Sequence, residues 1–512
     1  MSSWNEGYVS DIGYTYGYYT ELNPLRTRLA LLNAGLALPK IRTACELGFG
    51  QGVSINVHAA ASDISWSGTD FNPSQAGFAQ ELARASGSDA DLSDASFAEF
   101  CARDDLPNFD YIGLHGIWSW ISDANRQVIV DFIRRKLNVG GLVYISYNTL
   151  PGWSHFAPMR HVMVQHEQRM GASGAGIVGR IESALGFAEK LLETNPNYLK
   201  SNPVAKTRFD ALKTQNRQYL AHEYFNQDWH PMYFADMANW LGDAKMSFAC
   251  SANYLDHIPA INFTAEQTQL LAGIPDQILA ETTRDYLVNQ QFRKDYWVKG
   301  ARQLSKPEQL ALIREERVVL LNHRADVSLK AAGPLGEVTM REDVYGPVLD
   351  VLADHHPRSI GEVEAELQPK GISLPQIIEV MLVMGSQGQI ASAYSQADAK
   401  ANRKRVHDLN KFLIKRAHAN GDIGYLASPV TGGALGVPRF SQLFVEAVQH
   451  GKKSADDLAK YVWAILAAQS QAIVKDGKAL EGEAANLAEL KEQAGAFLQK
   501  QLPLLKALDV IS

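Results

Sequence analysis

The chain has 512 residues, 46% of them hydrophobic, enough to bury more than one core; at about 150 residues per domain it divides into roughly three domains. A formal charge of −7 excludes any global pull toward nucleic acid or an anionic membrane. The three cysteines, Cys45, Cys101 and Cys250, are too scattered for a disulfide framework or a paired-cysteine metal site, which predicts a reducing cytoplasm.

The N-terminus, MSSWNEGYVSDIGYTYGYYT, has no basic stretch followed by an apolar run, so no signal peptide is expected. The longest apolar runs, such as residues 461–468, are too short to span a bilayer, and membrane insertion is not expected. Residues 26–37 are apolar at helical spacing. A buried strand is predicted over 41–47, then a glycine loop from Gly48 to Gly52 and a helix through Ala61. A second strand is predicted over 64–70, a helix over 74–86, a strand over 110–114, a helix over 123–137 and a strand over 142–147. Strands alternating with helices predict a parallel sheet with right-handed crossovers.

From about 155 to 220 the pattern is helical and reads as an insertion. A helix over 232–241 follows, and two β-prone runs, 246–252 and 295–299, can add an antiparallel pair to the sheet. The core is then discontinuous: residues 1–155 with about 220–305, interrupted by an insertion at 156–219 that serves as a lid or dimer contact. Residues 306–400 form a middle domain whose helices at 344–354, 359–367 and 374–385, followed by Gly388 and a strand at 390–394, have the order of a winged helix. Its third helix shows Gln376 and Glu379 and no basic residue, so DNA reading is not expected there. His355 and His356, beside Pro357, are expected at the surface. Residues 401–512 read as helical, with an apolar stripe of Leu487, Leu490, Ala494 and Phe497 and a break at Pro503. The basic stretch Lys400, Arg403, Lys404, Arg405, Lys411, Lys415 and Arg416 is either a solvated helix face or a dock for an acidic partner.

The chemistry-bearing signal is Glu46-Leu47-Gly48-Phe49-Gly50-Gln51-Gly52 between a strand and a helix. Glycines there let the backbone turn sharply and approach a ligand. A dinucleotide fingerprint needs a glycine where this chain has Val53, and Glu46 would repel a pyrophosphate. A carboxylate suits S-adenosylmethionine instead, which carries an ammonium and a sulfonium and no phosphate. Asp70, 22 residues after Gly48, ends the second strand where an acid can hold both ribose hydroxyls. Asp94 either holds the adenine amino group, with Phe97 as an apolar wall, or caps a short helix. Phe71 and Ala95 complete the expected cofactor set of Glu46, Gly48, Gly50, Gly52, Asp70, Asp94 and His115.

Two strings are specific: His115-Gly116-Ile117-Trp118-Ser119-Trp120 and Ser146-Tyr147-Asn148-Thr149-Leu150-Pro151-Gly152-Trp153. With them, and with the looser His222-Glu223-Tyr224-Phe225 and Gln291-Phe292-Arg293, residues 8–325 resemble bacterial class I methyltransferases that carry a methyltransferase regulatory domain, a family that includes rickettsial protein-lysine methyltransferases. The resemblance implies a Rossmann-like α/β sheet of seven strands in order 3-2-1-4-5-7-6, S-adenosyl-L-methionine as methyl donor with S-adenosyl-L-homocysteine as product, and a protein lysine as acceptor.

Methyl transfer needs alignment and exclusion of water, and a lysine must first lose its proton. Aromatic and apolar groups favour that loss and hold the ammonium beforehand. Candidates are Tyr14, Tyr16, Tyr18 and Tyr19 in the N-terminal arm, His115, Trp118 and Trp120 after the fourth strand, and Tyr147, Asn148 and Trp153 after the fifth. Of these, Tyr14, Tyr16, His115, Trp118, Tyr147 and Asn148 form the expected catalytic set. No metal site is expected, since residue 226 is Asn where a second zinc-binding histidine would stand after His222-Glu223. A protein substrate and a homodimer are the expected partners; a small-molecule or glycan acceptor, or a non-catalytic adaptor, are the alternatives.

Overall fold

The computed structural model describes residues 15–511. In chain order the first elements are α1 (Pro24–Asn33), β1 (Thr43–Leu47), α2 (Val53–Ala61), β2 (Ser65–Thr69), α3 (Pro73–Ser86), β3 (Asp91–Ser93), α4 (Phe97–Cys101), β4 (Phe109–Leu114), α5 (Asp123–Lys136) and β5 (Leu137–Asn148). Much later come β6 (Met246–Ser251) and β7 (Phe292–Lys299). They build one seven-stranded sheet in the order β3-β2-β1-β4-β5-β7-β6. The first five strands are parallel, and β7 lies antiparallel between β5 and β6, with Tyr144 opposite Tyr296 and Phe248 opposite Trp297. This is the class I methyltransferase sheet. The antiparallel pair forms as expected, although β7 starts at Phe292 rather than at residue 295.

Both faces of the sheet are covered, which is why its strands read as apolar runs rather than as alternation. Ala44, Tyr111, Tyr144 and Tyr296 pack on one face with middle-region residues such as Val344 and Val348. Cys45, Leu47, Ile112, Leu114, Val143 and Ile145 pack on the other with Ile129, Phe132 and Ile133 of α5. The insertion has a core of its own in which helices Ala157–Met170, Gly176–Glu193, Val204–Lys213 and Arg217–Tyr224 close on Met163, Leu185, Phe209 and Leu220. That core begins at Trp153 and ends at Phe225.

In the middle region the three helices occur as Glu342–Val351, Ile360–Leu367 and Leu374–Ser386. The strand that follows, Ile390–Ser392, has no return strand after it. It pairs antiparallel with Arg317–Leu320, from upstream of the helices, which also pairs with Arg358–Ser359. The hairpin wing of a winged helix therefore does not form. Glu379, on the polar side of the third helix, accepts from Tyr345 Oη at 3.0 Å. His355, expected at the surface, is buried and hydrogen-bonded through Nδ1 to the Leu320 carbonyl at 3.0 Å.

The C-terminal helix Gln396–Ala417 lays Val406, Leu409 and Leu413 against Val53 and Val57 of α2 and Leu82 of α3, so its core is continuous with the helix that follows the glycine loop. Arg403 pairs with Asp509 at 2.6 Å, Arg405 donates to the Ser62 carbonyl at 2.7 Å, and Arg416 reaches Tyr16 Oη at 2.9 Å. These three members of the basic stretch bind the helix to its own fold rather than to an acidic partner. Pro503 falls in the first turn of helix Leu502–Ala507, directly after a π-helical segment at Phe497–Gln501. Among the described residues, no helix is long and apolar enough to cross a membrane, and no cluster of three or more metal-ligating side chains is present.

Candidate active site

At the carboxyl edge of the sheet, where open α/β sheets bind ligands, a cleft of about 1150 Å³ opens beside the glycine loop. Gly48, Gly50 and Gly52 all take left-handed backbone angles, with φ of 73°, 59° and 71°. Gly48 is further constrained because a Cβ there would collide with the Ile117 side chain. Gly52 does a different job from the one expected. It caps α2, and a Cβ on it would strike Ala79 of α3, so it permits helix packing and does not line the cleft.

Two carboxyls meet at this loop. Asp70, at the end of β2, accepts from Gly50 N at 2.8 Å and through its other oxygen from Asn72 N at 3.1 Å. Burial raises its pKa to about 6. Glu46, at the end of β1, is buried with Oε2 lacking any partner, and burial together with the charge of Asp70 raises its pKa to about 8. No Lys or Arg among the described residues lines the cleft. A buried, unsatisfied carboxyl beside a second one demands a cationic or hydrogen-donating ligand, and the absence of basic side chains speaks against a phosphate. Phe49, Phe71, Phe97, Ile117 and Ile121 give the same cleft an apolar wall suited to a purine. The set fits S-adenosylmethionine.

The segment after β3 closes another side. Thr69 Oγ1 donates to the Ala95 carbonyl, and Ala95, Ser96 and Phe97 face the cleft. Asp94 does not: it is exposed and outside the lining. It is not the cap of α4 either, because Ser96 and Glu99 form a capping box there.

His115, just past β4, borders both this cleft and a second, larger space. Its ring stacks on Tyr19 at 3.7 Å between centroids, and Nδ1 lies 2.8 Å from Tyr144 Oη. Burial lowers its pKa to about 3, so the imidazole is neutral. Trp120 also faces both spaces. Trp118, expected in the catalytic set, is fully buried on the opposite face of the sheet, where its indole N–H points at Met232 Sδ at 3.3 Å. Tyr147 is buried too, and its hydroxyl donates to Asp295 at 2.9 Å within a network centred on Arg293 and Asp285. Side chains alternate along β5, so Tyr147 faces away from the site while Asn148, one residue on, reaches the second space.

The N-terminal arm crosses the boundary between the two spaces. Thr15 and Tyr19 line both, Gly17 lines the cleft and Tyr16 lines the larger space. Tyr16 is held edge-on to Phe78 at 5.2 Å and under the Arg416 guanidinium at 5.0 Å. Tyr18 turns inward against His58 and Tyr425. Tyr14 lies outside the described residues.

The larger space, about 1840 Å³, meets the cleft at Tyr19, His115 and Trp120. Its remaining wall is assembled from distant segments: Asn148 and Trp153, Arg208, one side of the stretch between Asn216 and Tyr224, Gln291 and Phe292, and Asp422. Asn148 Oδ1 accepts from the Trp153 indole at 3.1 Å, and the Arg208 guanidinium carbon lies over that indole at 3.8 Å. Of these residues the sequence reading placed only Asn148 in its catalytic set. Glu223 and Phe292 went unassigned, although both sit in the two looser strings of the resemblance, which was the available signal. Arg208 and Asp422 carried none.

Residues 216–299 match the family described as a predicted methyltransferase regulatory domain. That span contributes the Asn216–Tyr224 wall, Gln291, Phe292 and the last two strands. The uncharacterized protein sll1526 of Synechocystis sp. is 39% identical over 513 residues, covering 99% of this chain and 100% of that one. The uncharacterized protein RP789 of Rickettsia prowazekii is 27% identical over 297 residues, or 55% of this chain and 51% of its own. The structure of PKMT2 from Rickettsia typhi in complex with AdoHcy superimposes with a TM-score of 0.69 at 17% identity, covering 97% of this chain and 100% of that one, a likeness of fold. From the sheet order, the cleft and the full-length kinship, the chain belongs to the bacterial family of class I S-adenosylmethionine-dependent methyltransferases that carry a methyltransferase regulatory domain.

Proposed function

We propose that this protein methylates the side-chain nitrogen of a lysine in a protein acceptor, with S-adenosylmethionine as donor. The observation that carries this reading is the junction at Tyr19 and His115, where a cleft rich in buried carboxyl groups meets a wide chamber lined by aromatic rings and carboxyls. S-adenosylmethionine, when bound, supplies an electrophilic methyl group. Glu46 and Asp70 hold its cationic and ribose parts, the glycine loop admits it, and Phe71, Ala95 and Phe97 enclose its base. Tyr19 and His115 fix the boundary across which the acceptor nitrogen is aligned, and the arm excludes water there. The neutral His115 orients rather than carries charge. Likeness of fold to the rickettsial PKMT2 supports a protein acceptor, and so does a chamber whose wall combines the core, the insertion and the C-terminal region.

Within this reading the protein works in the cytoplasm, in keeping with its three free, buried cysteines. It pairs as a homodimer through the insertion, whose surface leaves Met170 and Val204 exposed. Calorimetry with S-adenosylmethionine and transfer of a tritiated methyl group into fractionated cell lysate test the proposal. Micromolar binding and label in acid-stable methyllysine are expected. Label only in the small-molecule fraction overturns the protein acceptor, and absence of binding overturns the enzyme.

A further inference from the structure

The acceptor chamber contains a carboxyl that nothing in its wall balances. Glu223 projects from helix Arg217–Tyr224 into the chamber, half-buried, with no hydrogen bond or ion pair among the described residues. Burial raises its pKa to about 7. The guanidinium in the same wall is engaged elsewhere: Arg208 lies on Trp153 at 3.8 Å and reaches Tyr224 Oη at 3.4 Å. The Gln291 carboxamide, with its oxygen turned to the guanidinium, accepts from it at 2.7 and 3.0 Å. The other ionisable groups facing the chamber are Tyr219 and His222 on the same helix, Tyr16 and Tyr19 on the arm, His115 after β4, and Asp422 from the C-terminal region. Two carboxyls against one arginine make the chamber attractive to a cation. His115 is too weak a base to keep a proton, because burial holds its pKa at about 3.

Resting on the methyltransferase reading, we propose that Glu223 is the proton acceptor for a primary alkylammonium, the end of a lysine side chain, in the acceptor chamber. One proton passes from the ammonium nitrogen to the carboxylate, leaving a neutral amine and a neutral carboxylic acid with no change in total charge. The freed lone pair forms the N–C bond as the donor C–S bond breaks. The electrons of that bond stay on sulfur, and the positive charge moves to the methylated nitrogen. A base near neutrality suits this task, because an unassisted lysine holds its proton up to about pH 10.4.

Glu223→Gln keeps the shape and removes the base. With S-adenosylmethionine and an end-blocked peptide carrying one lysine, the variant is expected to bind the donor as the wild type does. Its kcat/KM falls about 100- to 1000-fold at pH 7. Its residual rate then climbs about tenfold per pH unit through pH 9, as the amine loses its proton unaided, whereas the wild type levels off above about pH 7. Glu223→Asp recovers part of the loss. Without donor, subtracting the infrared titration of Glu223→Gln from that of the wild type cancels the Glu46 and Asp70 carboxyls common to both and leaves one carboxyl titrating near pH 7, and n-butylammonium, bound as the cation, moves that titration to lower pH. An unchanged rate and pH profile in Glu223→Gln, or an infrared titration blind to the amine, overturns the proposal. A wild type that binds no S-adenosylmethionine overturns the methyltransferase reading instead, and the infrared result still decides the role of Glu223.

Discussion

The cofactor cleft and the acceptor chamber share Tyr19, His115 and Trp120 but are put together differently. Most of the cleft comes from one continuous stretch, Glu46 to Asn125, whose lining residues cluster at the ends of parallel strands and in the turns and helix starts that follow them. The chamber draws on the arm, two strand ends, the insertion, the start of β7 and the C-terminal region, with Asp422 more than 400 residues from the arm. One site is a property of local turns; the other is a property of how regions sit together. Cofactor recognition should therefore respond to loop substitutions and be indifferent to chamber substitutions, and acceptor recognition should change without cost to the cofactor.

The largest expected effect is at the loop. Gly50→Val forces a branched residue into a left-handed angle beside Asp70, and calorimetry should find S-adenosylmethionine affinity lowered more than about 100-fold. Retained affinity would break the assignment of the cleft. Asp70→Ala should weaken binding by about 1–3 kcal/mol, roughly five- to 150-fold, through loss of a charged hydrogen-bond acceptor. The same variant should leave acceptor KM unchanged in steady-state kinetics; a matching rise would show that the two sites are one.

Glu46 offers a pH test. In the folded, ligand-free protein its pKa is about 8 against 4.5 for the ordinary side chain. Between those values the folded form holds a proton that the unfolded chain has released, so this group's contribution to stability declines as pH rises from 4.5 to 8. The Tm of Glu46→Gln should fall less across that window than that of the wild type. Because a cationic ligand needs the carboxylate, S-adenosylmethionine binding at pH 7 should release close to one proton, read as a dependence of binding enthalpy on the buffer. Identical enthalpies in phosphate and Tris would remove Glu46 from the cation site.

The smallest effect belongs to the strap between the two spaces. Arg416 holds Tyr16 by a hydrogen bond of 2.9 Å and lies over Tyr16 and Phe78. Losing a contact of about 1 kcal/mol in Arg416→Ala should speed cofactor dissociation about fivefold in stopped-flow fluorescence. An unchanged rate would show that the arm does not gate the cleft.

Glu46, Gly48, Gly50, Asp70 and His115 were legible because strand–glycine–helix order and spacing along one stretch dictate where they meet. Trp118 and Tyr147 fill the core for two reasons: Trp118 opens the 3-10 turn Trp118–Trp120 past β4, which sends its ring inward and that of Trp120 to the site, and Tyr147 sits on the inward face of β5. Along β5 the side chains alternate between faces, so Asn148 reaches the site while Tyr147 fills the core beneath it. Asp94 and Gly52 differ for other reasons: Asp94, directly after β3, stays exposed one residue short of the cleft wall at Ala95, and the last glycine of the loop answers to Ala79 of α3.

By itself the sequence determined the alternation of strands and helices, the position of the glycine loop and the meeting of Glu46 and Asp70 beside it. These follow from hydrophobic period and glycine spacing, which act over a few residues. Only the tertiary structure decided that Ile390–Ser392 pairs backward with Arg317–Leu320 rather than with a wing, that Gln396–Ala417 braces α2 and α3, and that Arg208, Glu223, Phe292 and Asp422 surround one chamber. Side chains brought together across hundreds of residues share no period or spacing, and their contacts exist only after the separate cores have packed.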